Sequence, residues 1–161
     1  MGSAVISKCK KYRYVLRRDT GLLSPTISGC LFVMLNPSTA DANIDDPTLR
    51  RCIGFAKSWG SASVVTANLY AYRATIPKEL WRVSDPVGPR NNRWLRALLT
   101  EYEEVICAWG TNARADRVAE FIKLADQCLC RTRCLGVSKY GAPRHPLYIK
   151  ADQEPMLYRP V

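Results

Sequence analysis

The chain has 161 residues, 47% hydrophobic and 24% charged. That is enough for one domain with its own core (1–161), and neither repeats nor low-complexity segments suggest a fibrous or disordered chain. Twenty-four Lys and Arg stand against 14 Asp and Glu, a net charge of +10, which points to a polyanionic partner, nucleic acid before an anionic membrane surface. No apolar run reaches the ~20 residues that span a bilayer.

Met1 to Cys9 lack the apolar core of a secretory leader, which predicts a cytoplasmic chain with reduced cysteines. Lys10 to Arg18 alternates Tyr12, Tyr14 and Leu16 with Arg13 and Arg17 and reads as a strand. Gly21–Gly29 is turn-rich. Cys30–Leu35 is a continuous apolar run of buried-strand type and stops at Asn36-Pro37-Ser38-Thr39. Asp46-Pro47 predicts a helix start, Asp46 capping and Pro47 in the first turn, and Gly60 closes that helix. Ser63–Ala67 is a second buried strand ending at Asn68. Asn91 is expected to cap a helix bearing Trp94, Leu95, Leu98 and Leu99. Val105–Ala108 is a third strand, ending at Trp109-Gly110, and a helix follows from about Asn112 to Asp126. Cys128, Cys130 and Cys134 have a spacing outside the usual zinc patterns and no nearby His, so no metal is expected. Arg133–Val137 is a fourth strand, leading to the chain's single histidine, His145.

Alternating strands and helices predict an α/β fold: a three-layer α/β/α sandwich around a central, mostly parallel four-stranded sheet. Ligands of such sheets bind beyond the carboxyl ends of the strands. Four polar motifs fall there: Asn36-Pro37-Ser38-Thr39, Asn68, Trp109-Gly110 and Arg144-His145-Pro146. His145 is the one side chain whose ordinary pKa suits proton exchange near neutrality. Asn36, held at a strand end before a proline, can orient a water or a substrate group. Asn68 has the paired donor and acceptor that read a nucleobase edge. Ser38 and Thr39 suit phosphate contact, as do Arg73, Arg90 and Arg144. Asp41 and Asp45 are candidates for an acidic role, Asp46 being assigned to the cap.

The segments Leu35–Ala42, Asp45–Cys52, Asn68-Leu69, Ala108–Gly110 and Gly141–Tyr148 together resemble an uncharacterised family, domain of unknown function 1643. More distantly, the order of motifs resembles the uracil-DNA glycosylase superfamily. Leu35-Asn36-Pro37 is similar to its first motif, Asn68 to its base-reading asparagine, Trp109-Gly110-Thr111-Asn112-Ala113 to a later strand end, and His145-Pro146 to its final loop. That resemblance implies a glycosylase-like enzyme that hydrolyses the N-glycosidic bond of a uracil, mismatched or modified pyrimidine in DNA, without a cofactor. Asn36 would position water, His145 would stabilise the departing base, Asn68 would recognise it, and Leu147 or Tyr148 would wedge into the duplex. The chain departs from the superfamily where Leu147-Tyr148 directly follow His-Pro and where Met34-Leu35 precede Asn36. The alternatives are a non-catalytic nucleobase-binding module and an enzyme of free nucleotides. DNA is the expected partner ahead of RNA, with no membrane and no obligate protein partner.

Overall fold

The computed structural model describes residues 2–38 and 44–160. Among them are seven strands: β1 (Gly2–Ile6), β2 (Arg13–Asp19), β3 (Cys30–Met34), β4 (Ser63–Asn68), β5 (Glu104–Cys107), β6 (Arg131–Cys134) and β7 (Met156–Leu157). Three α-helices accompany them: α1 (Pro47–Ser58), α2 (Asn91–Glu101) and α3 (Ala115–Gln127). The sheet order is β1-β2-β4-β3-β5-β6-β7. Neighbours β4, β3, β5 and β6 run parallel, whereas β1, β2 and β7 join antiparallel.

The expected four-stranded sheet is therefore the centre of a wider, mixed one. The four apolar runs form the parallel strands because burial on both faces demands continuous hydrophobic sequence. Antiparallel strands extend both flanks, so the sheet's edges fall on β1 and on β7, which has only two residues.

The core lies in two layers, one on each face. Leu31, Val33, Val65, Ala67, Val105 and Cys107 pack against Leu95, Leu98 and Leu99 of α2 and Phe121, Leu124 and Ala125 of α3. On the opposite face Leu16, Phe32, Met34, Val64 and Ile106 meet Leu49, Cys52, Phe55 and Ala56 of α1. Helix α1 begins as its sequence dictates: Pro47 occupies the first turn and the Asp46 carboxylate accepts from the Leu49 amide at 2.7 Å. Helix α2 does not begin as expected. Its cap is Arg90, and Asn91, fully buried in the first turn, donates its side-chain amide to the carbonyls of Asn68 at 2.9 Å and Leu69 at 3.0 Å. The asparagine is a brace between α2 and the end of β4, because burial leaves its amide no solvent to bond.

All seven cysteines are free thiols. Cys130 and Cys134 are buried; burial pushes the Cys130 thiol up to about 12, which keeps it a neutral core group. Among the described residues no group of three or more His, Cys, Asp or Glu is placed to hold a metal ion. No described helix is long and apolar enough to cross a membrane.

Candidate functional site

Beyond the carboxyl ends of the parallel strands, on the α1 side, lies a cleft of about 500 Å³. Sites that enclose small ligands have that size. Asn36, Ser38, Asn68, Trp109, Gly110, Arg144, His145, Leu147 and Tyr148 all line it. Sequence positions from 36 to 148 thus meet at one rim, as the strand-end argument requires.

Asn36 is half-buried just past β3. Its amide nitrogen donates to the Ala74 carbonyl at 2.8 Å and the Pro37 carbonyl at 3.1 Å. Both donor hydrogens are engaged there, so the group offers the cleft its carbonyl oxygen, an acceptor. Asn68 closes β4 and is 2% exposed. Its Oδ1 has no hydrogen-bond partner. A buried unpaired acceptor costs about 1–3 kcal/mol, so it marks a place where a ligand donor would be favoured.

His145 precedes a 3-10 turn at Pro146–Tyr148. Its Nδ1 accepts from the Leu147 amide at 3.3 Å. That bond fixes the neutral tautomer carrying its proton on Nε2. Burial holds the imidazole below its ordinary 6.5, partly opposed by the Asp46 carboxylate. At neutral pH the side chain is therefore an uncharged N–H donor. The turn is tied to α1 by Arg51, whose guanidinium donates to the carbonyls of Pro146, at 3.4 Å, and Ile149. Asp46 lines the cleft as well, but both its oxygens are in use: one caps Leu49, the other takes the Ser38 hydroxyl.

Other expected positions fall elsewhere. Pro37 and Pro146 are buried scaffold at the two loops and do not line the cleft. Arg73 donates to the Lys10 carbonyl at 3.3 Å, away from the cleft. Asp45 pairs with Arg18 at 2.7 Å, which occupies it structurally. Thr39 and Asp41 lie outside the described residues. Trp109 is 3% exposed and packs edge-on against Phe121 and Tyr158, so it walls the cleft from within the core. Gly110 follows it at φ +73°, a left-handed conformation that favours glycine, and donates to the Pro143 carbonyl at 2.9 Å. Leu147 and Tyr148 stand 46% and 73% exposed at the mouth.

Sequence reasoning missed Arg13, Leu16 and Thr66, which also line the cleft. Strict alternation along β2 would turn Arg13 and Leu16 to opposite faces. However, Val5 pairs with Val15 while Ile6 pairs with Arg13, which makes Tyr14 an extra residue in β2. Tyr14 and Val15 consequently both face α2 and α3, and Arg13 swings to the cleft side with Leu16.

The fold and the cleft define a three-layer α/β protein whose polar strand ends surround a neutral imidazole. The chain belongs to the family of proteins of unknown function designated DUF1643, whose family model matches residues 13–147. Comparison with curated proteins and with solved structures gives no match.

Proposed function

We propose that the cleft receives a pyrimidine-type base extruded from DNA and that the protein hydrolyses its N-glycosidic bond. The observation that carries this reading is the pairing of opposite polarities in one cleft: acceptor oxygens on Asn36 and on the buried, unpartnered Asn68, and an N–H donor on neutral His145. Asn68 would take a donor of the base edge. As the bond between the base nitrogen and the anomeric carbon breaks, its electron pair moves onto the base and develops on a ring carbonyl oxygen. The His145 Nε2–H meets that charge as a hydrogen-bond donor. A water oriented by Asn36 adds to the anomeric carbon, and the proton it sheds balances the one the free base acquires. The net charge of +10 suits the DNA backbone. Leu147 and Tyr148, exposed at the mouth of the cleft, would fill the vacated stack.

A second reading, a base-binding module without hydrolysis, is favoured by one feature. The cleft's described carboxylate, Asp46, is held by the Leu49 amide and the Ser38 hydroxyl and is not available as a base. The two readings separate in an abasic-site assay on oligonucleotides carrying uracil, mismatched thymine or modified pyrimidines. Hydrolysis predicts abasic product that falls about 10²–10³-fold in His145→Ala, the usual consequence of losing a donor to developing charge. Asn36→Ala is expected to lose product as well. Binding without abasic product on every substrate would overturn hydrolysis and leave the module. Product undiminished in both variants would remove Asn36 and His145 from the chemistry.

A further inference from the structure

Aromatic side chains bury large apolar surfaces, and nearly all of those in this chain are buried or half-buried. Among the described residues Tyr140 and Tyr148 are the two exceptions, 76% and 73% exposed. Both belong to the stretch 137–150, which carries Lys139, Arg144 and Lys150 and no Asp or Glu. Tyr148 stands at the mouth of the cleft. Tyr140 sits at the tip of a tight hairpin beside it. Val137 bridges antiparallel to Pro143, the Ser138 amide donates to the Ala142 carbonyl at 2.8 Å, and the Gly141 amide closes the turn on the Ser138 carbonyl at 3.0 Å. The Ser138 hydroxyl oxygen accepts from the amides of Tyr140 at 3.2 Å and Ala142 at 3.3 Å. The inner side of this hairpin, at Ser138, Ala142 and Pro143, walls the cleft. Its own backbone bonds therefore hold the tip in place and leave the Tyr140 ring in water. The Lys139 ammonium lies 4.8 Å from the centre of that ring.

We infer that the Lys139-Tyr140 tip is a stacking platform for an unpaired nucleobase next to the one in the cleft, so that DNA is taken up as a single strand. The inference rests on the proposed function in one respect, that the polymer is DNA. In a duplex the neighbour of an extruded base stays paired, and the face that it turns to the gap is the one Leu147 and Tyr148 would cover. A base can offer a face to Tyr140 as well only where it is released from its partner strand. An aromatic ring stacks on any base, so the platform adds affinity without sequence preference. The Lys139 ammonium and the Arg144 guanidinium suit the phosphates that join the stacked nucleotide to the one in the cleft. Because the hairpin is ordered before the strand arrives, little conformational entropy is lost in using it.

The test is equilibrium binding, by fluorescence anisotropy, of a short labelled strand of ordinary bases and of the same strand annealed to its complement. The parent, Tyr140→Ala and Tyr140→Phe are compared. The parent should bind the single strand about tenfold more tightly than the duplex, as one stacked base allows. Tyr140→Ala should lose about that factor on the single strand and nothing on the duplex. Tyr140→Phe keeps the ring and should keep the preference. Tyr140 is exposed, so both variants should melt with the parent and the loss reports stacking rather than folding. Equal affinity of the parent for the two forms overturns the platform, as does tighter binding of the duplex or no binding of either. So does a preference that survives in Tyr140→Ala or is lost equally in Tyr140→Phe. Abasic product from a duplex, undiminished in Tyr140→Ala, would sink the platform and leave the glycosylase. Single-strand binding that depends on the Tyr140 ring, without abasic product, would do the reverse.

Discussion

The two ends of the parallel sheet are built on opposite plans. At the amino ends, charged side chains are matched: Arg17 with Glu101 at 3.1 Å, Arg131 with Glu104 at 3.1 Å and Arg133 with Glu104 at 2.8 Å. These pairs are partly exposed, so water and salt weaken them. At the carboxyl ends Arg13, Asp46 and Arg144 share the cleft with amides, hydroxyls and an imidazole, and there the oxygens of Thr66 and Asn68 are buried without partners. The contrast teaches where folding has been optimised and where it has not. Pairing surface charge is nearly neutral for stability, whereas keeping buried oxygens unpaired is unfavourable unless a ligand answers them.

The contrast can be broken most severely at Asn91. Its amide holds the carbonyls of Asn68 and Leu69 from behind, so Asn91→Ala should destabilise by about 1–3 kcal/mol in denaturant unfolding and weaken base binding with it. An unchanged midpoint would mean that the end of β4 is held by other contacts, such as Arg117, which donates to Leu69 at 2.8 Å.

A smaller effect is expected from pH. Burial depresses the folded-state pKa of His145 below 6.5, so the unfolded chain binds the proton more readily than the folded one. Stability should be independent of this group above about pH 6.5, fall as pH drops from 6.5 towards the folded value, and level off below it. Activity that depends on the neutral imidazole should decline over the lower part of the same range. His145 is the chain's single histidine, so one imidazole resonance followed by NMR reports the folded pKa directly; a value at or above 6.5 would refute the assignment. The smallest effect belongs to the other end of the sheet. Glu101→Ala, removing the partner of Arg17, should cost less than about 1 kcal/mol, and that cost should shrink at high salt. A large loss there would erase the distinction between the two ends.

How much of this was legible in the sequence follows from the physics of each segment. Four apolar runs announce the parallel strands, and Asp46-Pro47 announces α1, because burial on both faces and helix capping each leave a local signature. Strand β7 has two residues, both exposed, and β1 is at most half-buried, so neither carries a pattern. Asn36, Asn68 and His145 could be placed at one rim because strand ends in an α/β sheet converge. Arg13 could not be placed, since period-two reading assigns it to the wrong face and the extra residue that reverses it is visible only in the pairing with β1. Thr66 reads as an ordinary β-branched strand residue; only its missing partner sets it apart. Asn91 looks like a cap at a helix start and is distinguished only by the carbonyls it meets.

Arg51 gives the site a property that its loop would not have alone. A functional side chain on a loop ordinarily wanders, and positioning it at the moment of binding costs conformational entropy. Here the carbonyls on either side of Leu147-Tyr148 are fastened to the middle of α1, and α1 is in turn anchored in the core by Leu49, Cys52 and Phe55. The ordering of the His145 turn therefore takes place during folding, before any ligand arrives. Replacing Arg51 would return that ordering to the binding step, and the loss would be read in the association equilibrium rather than in the imidazole's own chemistry.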